Sequence, residues 1–230
     1  IVKINFYHKN NLLLLYMDYE KTYVRDVYGS IAKHFDITRK YHWRGVKKFL
    51  NTFYPVSYGI DIGCGNGRNM LYRDDLKMVG VDNCQELIDI CENKGLDVRL
   101  SDVCSLPYLD NSFEFALSIA VFHHLSTEER RITALKEMIR VLQPGGRGLL
   151  SLWSVEQPKS LKRKFKKGDN IVLWKYPDNY YIGNGESFER FYYIYDKEMF
   201  EAYIENVADL IEIEKIYNEM GNWYCIFRKN

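Results

Sequence analysis

The sequence predicts an α/β protein: a doubly wound, seven-stranded, mostly parallel sheet with an N-terminal helical cap. Three observations predict it. From residue 56 onward short apolar runs alternate with segments of helical period; those runs are almost continuously apolar; and a glycine turn, Gly63-Cys64-Gly65-Asn66-Gly67, follows the first of them. Strands buried on both faces read as unbroken apolar runs, which parallel sheets covered by helices require. At 230 residues the chain buries roughly 70–75% of its unfolded surface on folding, so it needs no disulfide or metal staple.

Residues 1–55 are expected to form a helical extension and cap. Residues 56–230 form the α/β domain, with a substrate-side insertion at about 155–190. In chain order, Tyr23, Val27, Ile31 and Phe35 recur every fourth residue and predict a helix over 18–35. A second helix is expected over 42–53, with Val46, Phe49, Leu50 and Phe53 on one face and Pro55 closing it. Residues 56–62 read as a strand whose glycine turn opens a helix. Residues 78–81 are the next strand, followed by a helix over 85–94 that Gly95 stops. Residues 98–100 are short and extended, and 113–121 form a continuous apolar strand ending at His123-His124. Ser126-Thr127-Glu128-Glu129 has capping-box spacing ahead of a helix that carries Ile132, Leu135, Ile139 and Leu142 on one face. Gln143-Pro144-Gly145-Gly146 ends that helix, and 148–153 is another strand. The segment 155–190 breaks the rhythm with a basic stretch and a Tyr/Gly/Asn-rich loop. A helix near 196–206 resumes it. Strands over 210–217 and 223–227 follow, antiparallel because only the turn 218–222 joins them.

Composition narrows the function classes. The 32 basic and 31 acidic side chains leave a net charge of +1, which excludes a uniformly cationic nucleic-acid coat but not a local basic patch. Five scattered cysteines form no C-x-x-C pair, so buried reduced thiols and a reducing compartment are expected, with no metal site. The longest early apolar run, 12–17, is far short of the ~20 residues that span a bilayer, so no membrane role is expected. The sequence begins at Ile1 rather than Met, so a start further upstream is expected. A soluble protein of the cytoplasm, with the nucleus as a second location, is the expectation.

The motif that carries chemistry is Gly59-Ile60-Asp61-Ile62-Gly63-Cys64-Gly65-Asn66-Gly67. A strand delivers a tight turn whose missing side chains let a ligand touch the backbone, the mechanics of nucleotide-type Rossmann sites. The spacing is G-x-G-x-G rather than the G-x-G-x-x-G of dinucleotide binders, which disfavours a dehydrogenase. Asp61 suits the ammonium of an amino-acid-bearing ligand better than a pyrophosphate. Asp82 lies 19 residues after Gly63 at the next strand end, where a carboxylate accepts both ribose hydroxyls. Asp102, closing the third strand, can reach an adenine amino group. Each acid alone also reads as a solvated strand end; three on successive strands with a glycine turn point to an S-adenosylmethionine site. Asn83, Val103 and Ala120, beside these acids and at the end of the fourth strand, complete the expected cofactor set.

Over residues 56–154 the chain resembles the class I S-adenosylmethionine-dependent methyltransferases. A narrower resemblance covers most of it. His34-Phe35-Asp36-Ile37-Thr38-Arg39 ahead of Trp43, the stretch from Ser118 to Thr127, Glu129-Arg130-Arg131, Trp153 with Glu156-Gln157, Arg190 to Tyr195 and Asn222-Trp223-Tyr224 are similar to the eukaryotic tRNA wobble-uridine carboxymethyl methyltransferases. The chain departs from that pattern with Arg44 in place of Pro and Tyr193 in place of His. The resemblance implies methyl transfer to the carboxylate of 5-carboxymethyluridine in an anticodon stem-loop. It also implies a heterodimer with a small zinc-binding activator subunit, for which the short edge strand 98–100 offers unpaired backbone.

A carboxylate acceptor is ionised at pH 7 and needs no general base, only donors that orient it. The resemblance and the position past the fourth strand assign that role to His123 and Arg131, with Arg39 from the cap; both His123 and Arg131 are expected outside the core. His124, Trp43, Trp153, Arg190 and Tyr192 are the expected substrate contacts, the aromatic ones by stacking on bases. The run Lys159 to Lys167 carries six basic residues in nine; with Lys162, Arg163 and Lys164 at its centre it reads either as a solvated loop or as a phosphate-contacting rim. Two other functions compete: a methyltransferase for a lipid or quinone precursor, which requires a closed apolar pocket, and a catalytically silent adaptor, which the intact motif disfavours.

Overall fold

A computed structural model describes residues 18–161, 164–176 and 186–230. A π-helical turn, Lys21–Arg25, leads into α1 (Asp26–Thr38), and α2 (Arg44–Leu50) follows. The domain then runs β1 (Tyr58–Ile62), β2 (Lys77–Asp82), α3 (Gln85–Glu92), β3 (Val98–Leu100), β4 (Phe113–Ile119), α4 (Glu128–Val141) and β5 (Leu142–Trp153). After a hairpin of β6 (Gly168–Lys175) and β7 (Ser187–Ile194) come α5 (Lys197–Glu205), β8 (Ile211–Glu219) and β9 (Asn222–Lys229).

Seven strands form one sheet in the order β3-β2-β1-β4-β5-β9-β8. Neighbours from β3 to β5 are parallel, and β9 runs antiparallel to both β5 and β8. The chain leaves β1 for β2 on one side and returns to β4 on the other. That reversal opens a crevice at the carboxyl ends of β1 and β4, where ligands of doubly wound sheets bind. Helices cover both faces. Phe113, Ala116 and Leu150 pack with α4 and α5 through Leu135, Met138, Phe200 and Ile204. Phe115, Leu117 and Leu149 pack on the other face with Val46, Phe49 and Leu50 of α2. Close approach shapes this layer: a Cβ on Gly59 would sit 2.2 Å from the Phe115 ring. Among the described residues no helix is long and apolar enough to cross a membrane, and the five cysteines are free thiols.

Several sequence expectations are corrected in detail. No α-helix follows the glycine turn; turns lead only to a short 3-10 helix, Met70–Tyr72. Gly67 sits at φ +74° and breaks the helical path, while the Asn66 amide is drawn to Asp36 (2.9 Å) and the Asn69 amide to Asp61 (3.2 Å). The cap of α4 is Thr127, whose hydroxyl accepts the Arg130 N–H at 3.2 Å, one residue later than the capping box implies. Ser126 turns away instead: its N–H and hydroxyl both donate to Glu20 of the N-terminal helix. The Gln143–Gly146 stretch belongs to the start of β5.

The larger correction is the β6–β7 hairpin, which lies where a basic stretch and a loop were expected. Its register pairs Asn170 with Tyr192, Val172 with Arg190 and Trp174 with Phe188, so these side chains share one face. That face meets α1. Trp174 Nε1 donates to His34 Nδ1 at 3.0 Å, and Tyr176 donates through its hydroxyl to the Ser30 carbonyl at 3.2 Å. The opposite face carries Phe191, edge-on to Tyr19 at 5.4 Å. Helix and hairpin together roof the crevice. Trp174→Phe keeps a ring in place but removes the indole N–H that donates to His34 Nδ1. It should lower stability by about 1–2 kcal/mol, whereas Trp174→Ala should cost about 3–5 kcal/mol. Urea unfolding of both variants checks the order.

Candidate active site

One cavity lies at the carboxyl ends of β1, β2, β4 and β5 beneath α1 and β7, and most of the expected site residues line it. Gly63, Cys64, Gly65, Asn66, Asp82, Asn83, Val103 and Ala120 form its cofactor side; Arg39, Trp43, His123, His124, Trp153, Arg190 and Tyr192 form the rest. The turn is built for close approach. Gly63 and Gly65 adopt φ +75° and +57°, and a Cβ on Gly63 would lie 2.4 Å from Val121. Gly67 has a packing role instead, since its Cβ would meet Leu96 at 2.2 Å. Ala120 closes β4 at φ +60°, a strained conformation for a residue with a side chain.

Asp82 holds the turn. Its Oδ2 accepts the Gly65 N–H at 2.9 Å and its Oδ1 the Cys84 N–H at 3.0 Å, leaving each oxygen a lone pair for a ligand. Burial raises its pKa against the pull of those backbone donors. Asp61 lies wholly buried behind the turn. Its Oδ2 accepts from Asn69, but its Oδ1 has no hydrogen-bond partner among the described residues. Burial pushes its pKa up to about 7, opposed by the Asn69 hydrogen bond and the charge of Arg68. An ammonium group satisfies such an oxygen and restores its charge, so this half of the cavity fits an amino-acid-bearing nucleoside.

Asp102 is not placed as expected. It lies outside the cavity lining, its Oδ2 held by Arg130 at 2.8 Å and its Oδ1 by the Cys104 N–H at 2.8 Å. Arg130 also grips Glu20 at 3.0 Å, so this carboxylate anchors the N-terminal helix. These partners hold the Asp102 carboxyl below its ordinary pKa against burial, the largest single influence.

The two histidines are both buried, contrary to the sequence expectation for His123, and they differ in kind. His124 is fully engaged: its Nδ1–H donates to the Phe191 carbonyl at 2.8 Å, so its Nε2 accepts the Tyr28 hydroxyl at 3.0 Å. Burial drives its pKa down to about 3, so it is neutral. It fastens β7 to α1 rather than reaching outward. His123 Nδ1 accepts the Trp153 N–H at 3.1 Å, which puts the ring proton on Nε2. Burial, then the neighbouring His124 and Arg190, hold it far below its ordinary pKa. Tyr192 is stacked on Trp153 at 4.3 Å and tilted against His124 at 4.3 Å and His123 at 5.0 Å, so its ring already has three ring neighbours.

Arg131 is corrected more strongly. It is 5% exposed and lies in the core rather than past it, donating to the Leu125 carbonyl at 2.8 Å. Its guanidinium carbon sits 3.7 Å from the Tyr193 ring centroid, on the face of β7 away from the cavity. Tyr193 therefore completes a cation–π contact. Lys162 and Arg163 lie outside the described residues; Lys164 is exposed and away from the cavity. Sequence reasoning missed Tyr28, Arg68, Asn69 and Glu20, all of which line the cavity. Tyr28 and Glu20 were legible only as positions on a helix; Arg68 and Asn69 directly follow the turn.

The ligand implied by the sequence, S-adenosylmethionine, carries a ribose diol and an ammonium. Asp82→Ala should weaken its binding by about 1–3 kcal/mol, read by calorimetry. The sign of the pH effect follows from Asp61: lowering pH through about 7 protonates the carboxyl that the ammonium needs. Affinity should therefore fall below that pH, at most about tenfold per unit, and rise to a plateau above it. Binding at pH 6.5 should release a proton, seen as a dependence of the heat on buffer ionisation, and Asp61→Asn should abolish that release.

Comparison with known proteins places this site in a family. Residues 60–150 match a family described as "Methyltransferase domain". The chain is 36% identical over 229 residues to the Schizosaccharomyces pombe tRNA (carboxymethyluridine(34)-5-O)-methyltransferase, covering 93% of this chain and 99% of that one. A Xenopus tropicalis protein with the same activity in its name is 30% identical; the match takes in 91% of this chain but 41% of that longer protein. Among solved structures, a Haloferax volcanii putative methyltransferase in complex with the Trm112 methyltransferase activator superposes with TM-score 0.63 at 15% identity, covering 90% and 97% of the two chains. Likeness over nearly the whole of both chains settles membership: the protein belongs to the family of tRNA (carboxymethyluridine(34)-5-O)-methyltransferases.

Proposed function

We propose that this chain transfers a methyl group from S-adenosylmethionine to the carboxylate of 5-carboxymethyluridine at the wobble position of tRNA. The observation that carries the reading is the composition of this cavity: a ligand half lined by Asp82 at β2, with Asp61 of β1 buried behind the glycine turn, and a second half at β4, β5 and β7 rich in arginine, neutral histidine and aromatic rings.

S-adenosylmethionine, when bound, supplies an electrophilic methyl on a sulfonium sulfur. A carboxylate oxygen would take that methyl, with the electron pair of the broken carbon–sulfur bond left on sulfur. No proton moves, so no residue need act as a base. Placement is then the main contribution of the protein. Asp61, Asn69 and the glycine turn hold the amino-acid end and Asp82 the ribose. Trp43, edge-on to Tyr224 at 6.5 Å with Arg68 5.6 Å from its ring, and the half-buried Trp153 offer apolar walls for a splayed base. The small-molecule alternative requires a closed apolar pocket, and this cavity has three guanidinium groups, Arg39, Arg68 and Arg190, on its wall.

Lys40, Arg44, Lys47 and Lys48, from the end of α1 into α2, are exposed, as are Lys159, Lys164, Lys166 and Lys167 ahead of β6. Arg44 lies 3.8 Å from Glu219, and Lys167 pairs with Asp196 at 3.1 Å. These groups suit an anticodon stem-loop backbone. The other expected partner is a small activator subunit. β3 is a three-residue strand at the sheet edge with Arg99 and Leu100 exposed, so its outer backbone is available for strand addition.

Mass spectrometry of tRNA nucleosides after incubation with S-adenosylmethionine tests the function: the methyl ester of carboxymethyluridine should appear, and its absence with and without the activator defeats the reading. Neutralising Lys159, Lys164 and Lys166 should reduce the slope of log K against log salt by roughly 2–3 without moving cofactor affinity. Leu100→Pro should weaken activator binding while leaving the chain folded, because edge strands tolerate the loss of an N–H.

A further inference from the structure

Two buried donors in the cavity wall lack hydrogen-bond partners among the described residues: His123 Nε2 and Arg190 Nε. Both residues line the cavity, at 0% and 6% exposure. Both lie against one ring, Tyr192, whose centroid is 5.0 Å from the His123 ring and 5.2 Å from the Arg190 guanidinium carbon. The Trp153 N–H on His123 Nδ1 fixes the proton on Nε2, so this nitrogen donates and cannot accept. Arg190 donates only, as guanidinium always does. It gives one hydrogen bond to the Tyr28 hydroxyl at 3.3 Å and packs over Trp174 at 4.7 Å, and no carboxylate among the described residues pairs with it.

The acceptors beside this pair are neutral, the Tyr28 and Tyr192 hydroxyls next to Arg190, and none is a carboxylate. His124 Nε2 is taken by the Tyr28 hydroxyl and its Nδ1–H by the Phe191 carbonyl. Glu20 is bound by Ser126 and Arg130. Asp82 stands at the end of β2, two strands from β4 and so about 10 Å away along the sheet edge. A buried, uncompensated guanidinium and an unpaired imidazole N–H are both costly, and an anion bound between them removes both costs.

We propose that His123 and Arg190 form a donor-only cradle that makes the site selective for a carboxylate on the uridine over the corresponding carboxamide. The inference rests on the reading of the acceptor as a carboxymethyluridine. A carboxylate accepts from both donors and neutralises Arg190. A carboxamide is uncharged, and its NH2 group must face one of two donors.

The test uses the full chain, alone and with the activator subunit, in the presence of S-adenosylhomocysteine. Two anticodon stem-loops are compared that differ only in a 5-carboxymethyl or a 5-carbamoylmethyl group on the wobble uridine. The parent protein should bind the acid at least about tenfold more tightly. Arg190→Gln places an amide oxygen at the cradle, so the ratio should fall to within about twofold; Arg190→Lys, keeping a charged donor, should retain most of it. S-adenosylhomocysteine affinity should be unchanged in both variants. A parent ratio near one, or an unaltered ratio in Arg190→Gln, overturns the cradle even if the acid stem-loop is methylated. Failure of the parent to methylate that stem-loop overturns the function reading and the cradle with it. Should Arg190→Gln fail to fold, the parent ratio and the Lys variant decide.

Discussion

The site depends first on one carboxylate. Asp82 at the end of β2 receives backbone N–H groups from the glycine turn and from the start of α3. The turn and the first residues of the next helix are thereby fixed to a single strand end. Gly63 and Cys64 add to this by donating to the Val81 carbonyl at 2.8 and 2.9 Å. A turn with three residues in the left-handed region has little intrinsic preference for one conformation. Tying its amides to β2 selects one before any ligand arrives, which reduces the ordering cost of binding.

The roof is held by polar contacts buried between elements distant in sequence. Glu20 joins the N-terminal helix to Ser126 and Arg130, which in turn holds Asp102. Tyr28 joins α1 to His124 and Arg190, and Trp174 joins the hairpin to His34. Groups of this kind contribute modest net stability when satisfied and cost much more when one member is removed. They therefore specify where the roof sits more than they strengthen it. The same economy explains why His124 and His123, adjacent in sequence, have different chemistry: one has both nitrogens satisfied, the other has a proton left to give.

Positive charge is distributed to match. Arg130 and Arg131 are neighbours on α4, yet Arg130 faces two carboxylates and Arg131 a tyrosine ring on the far side of β7. Successive helical residues point about 100° apart, so adjacent arginines serve different neighbourhoods. Tyr193 accommodates the second of them by offering its ring face.

The sequence by itself determined the succession of the parallel strands, the antiparallel closing strands and the placing of the glycine turn and Asp82 at strand ends. Those are local matters: apolar runs, a glycine spacing, and acids at or near strand ends follow from periodicity and backbone geometry. It misjudged Asp102 and Arg131 because whether a charged side chain faces a cavity or an opposite charge depends on a partner more than 25 residues away or on another strand, as Asp102 does on Arg130. It missed the β6–β7 hairpin because Gly168-Asp169-Asn170 reads as turn while the alternating face, Val172 and Trp174, shows its purpose only against α1. Tertiary structure alone decided the tautomer of His123, the isolation of Arg190 from carboxylates and the roofing of the cavity by Tyr28. Each of these rests on hydrogen bonds or ring contacts between segments that the fold, not the local pattern, brings together.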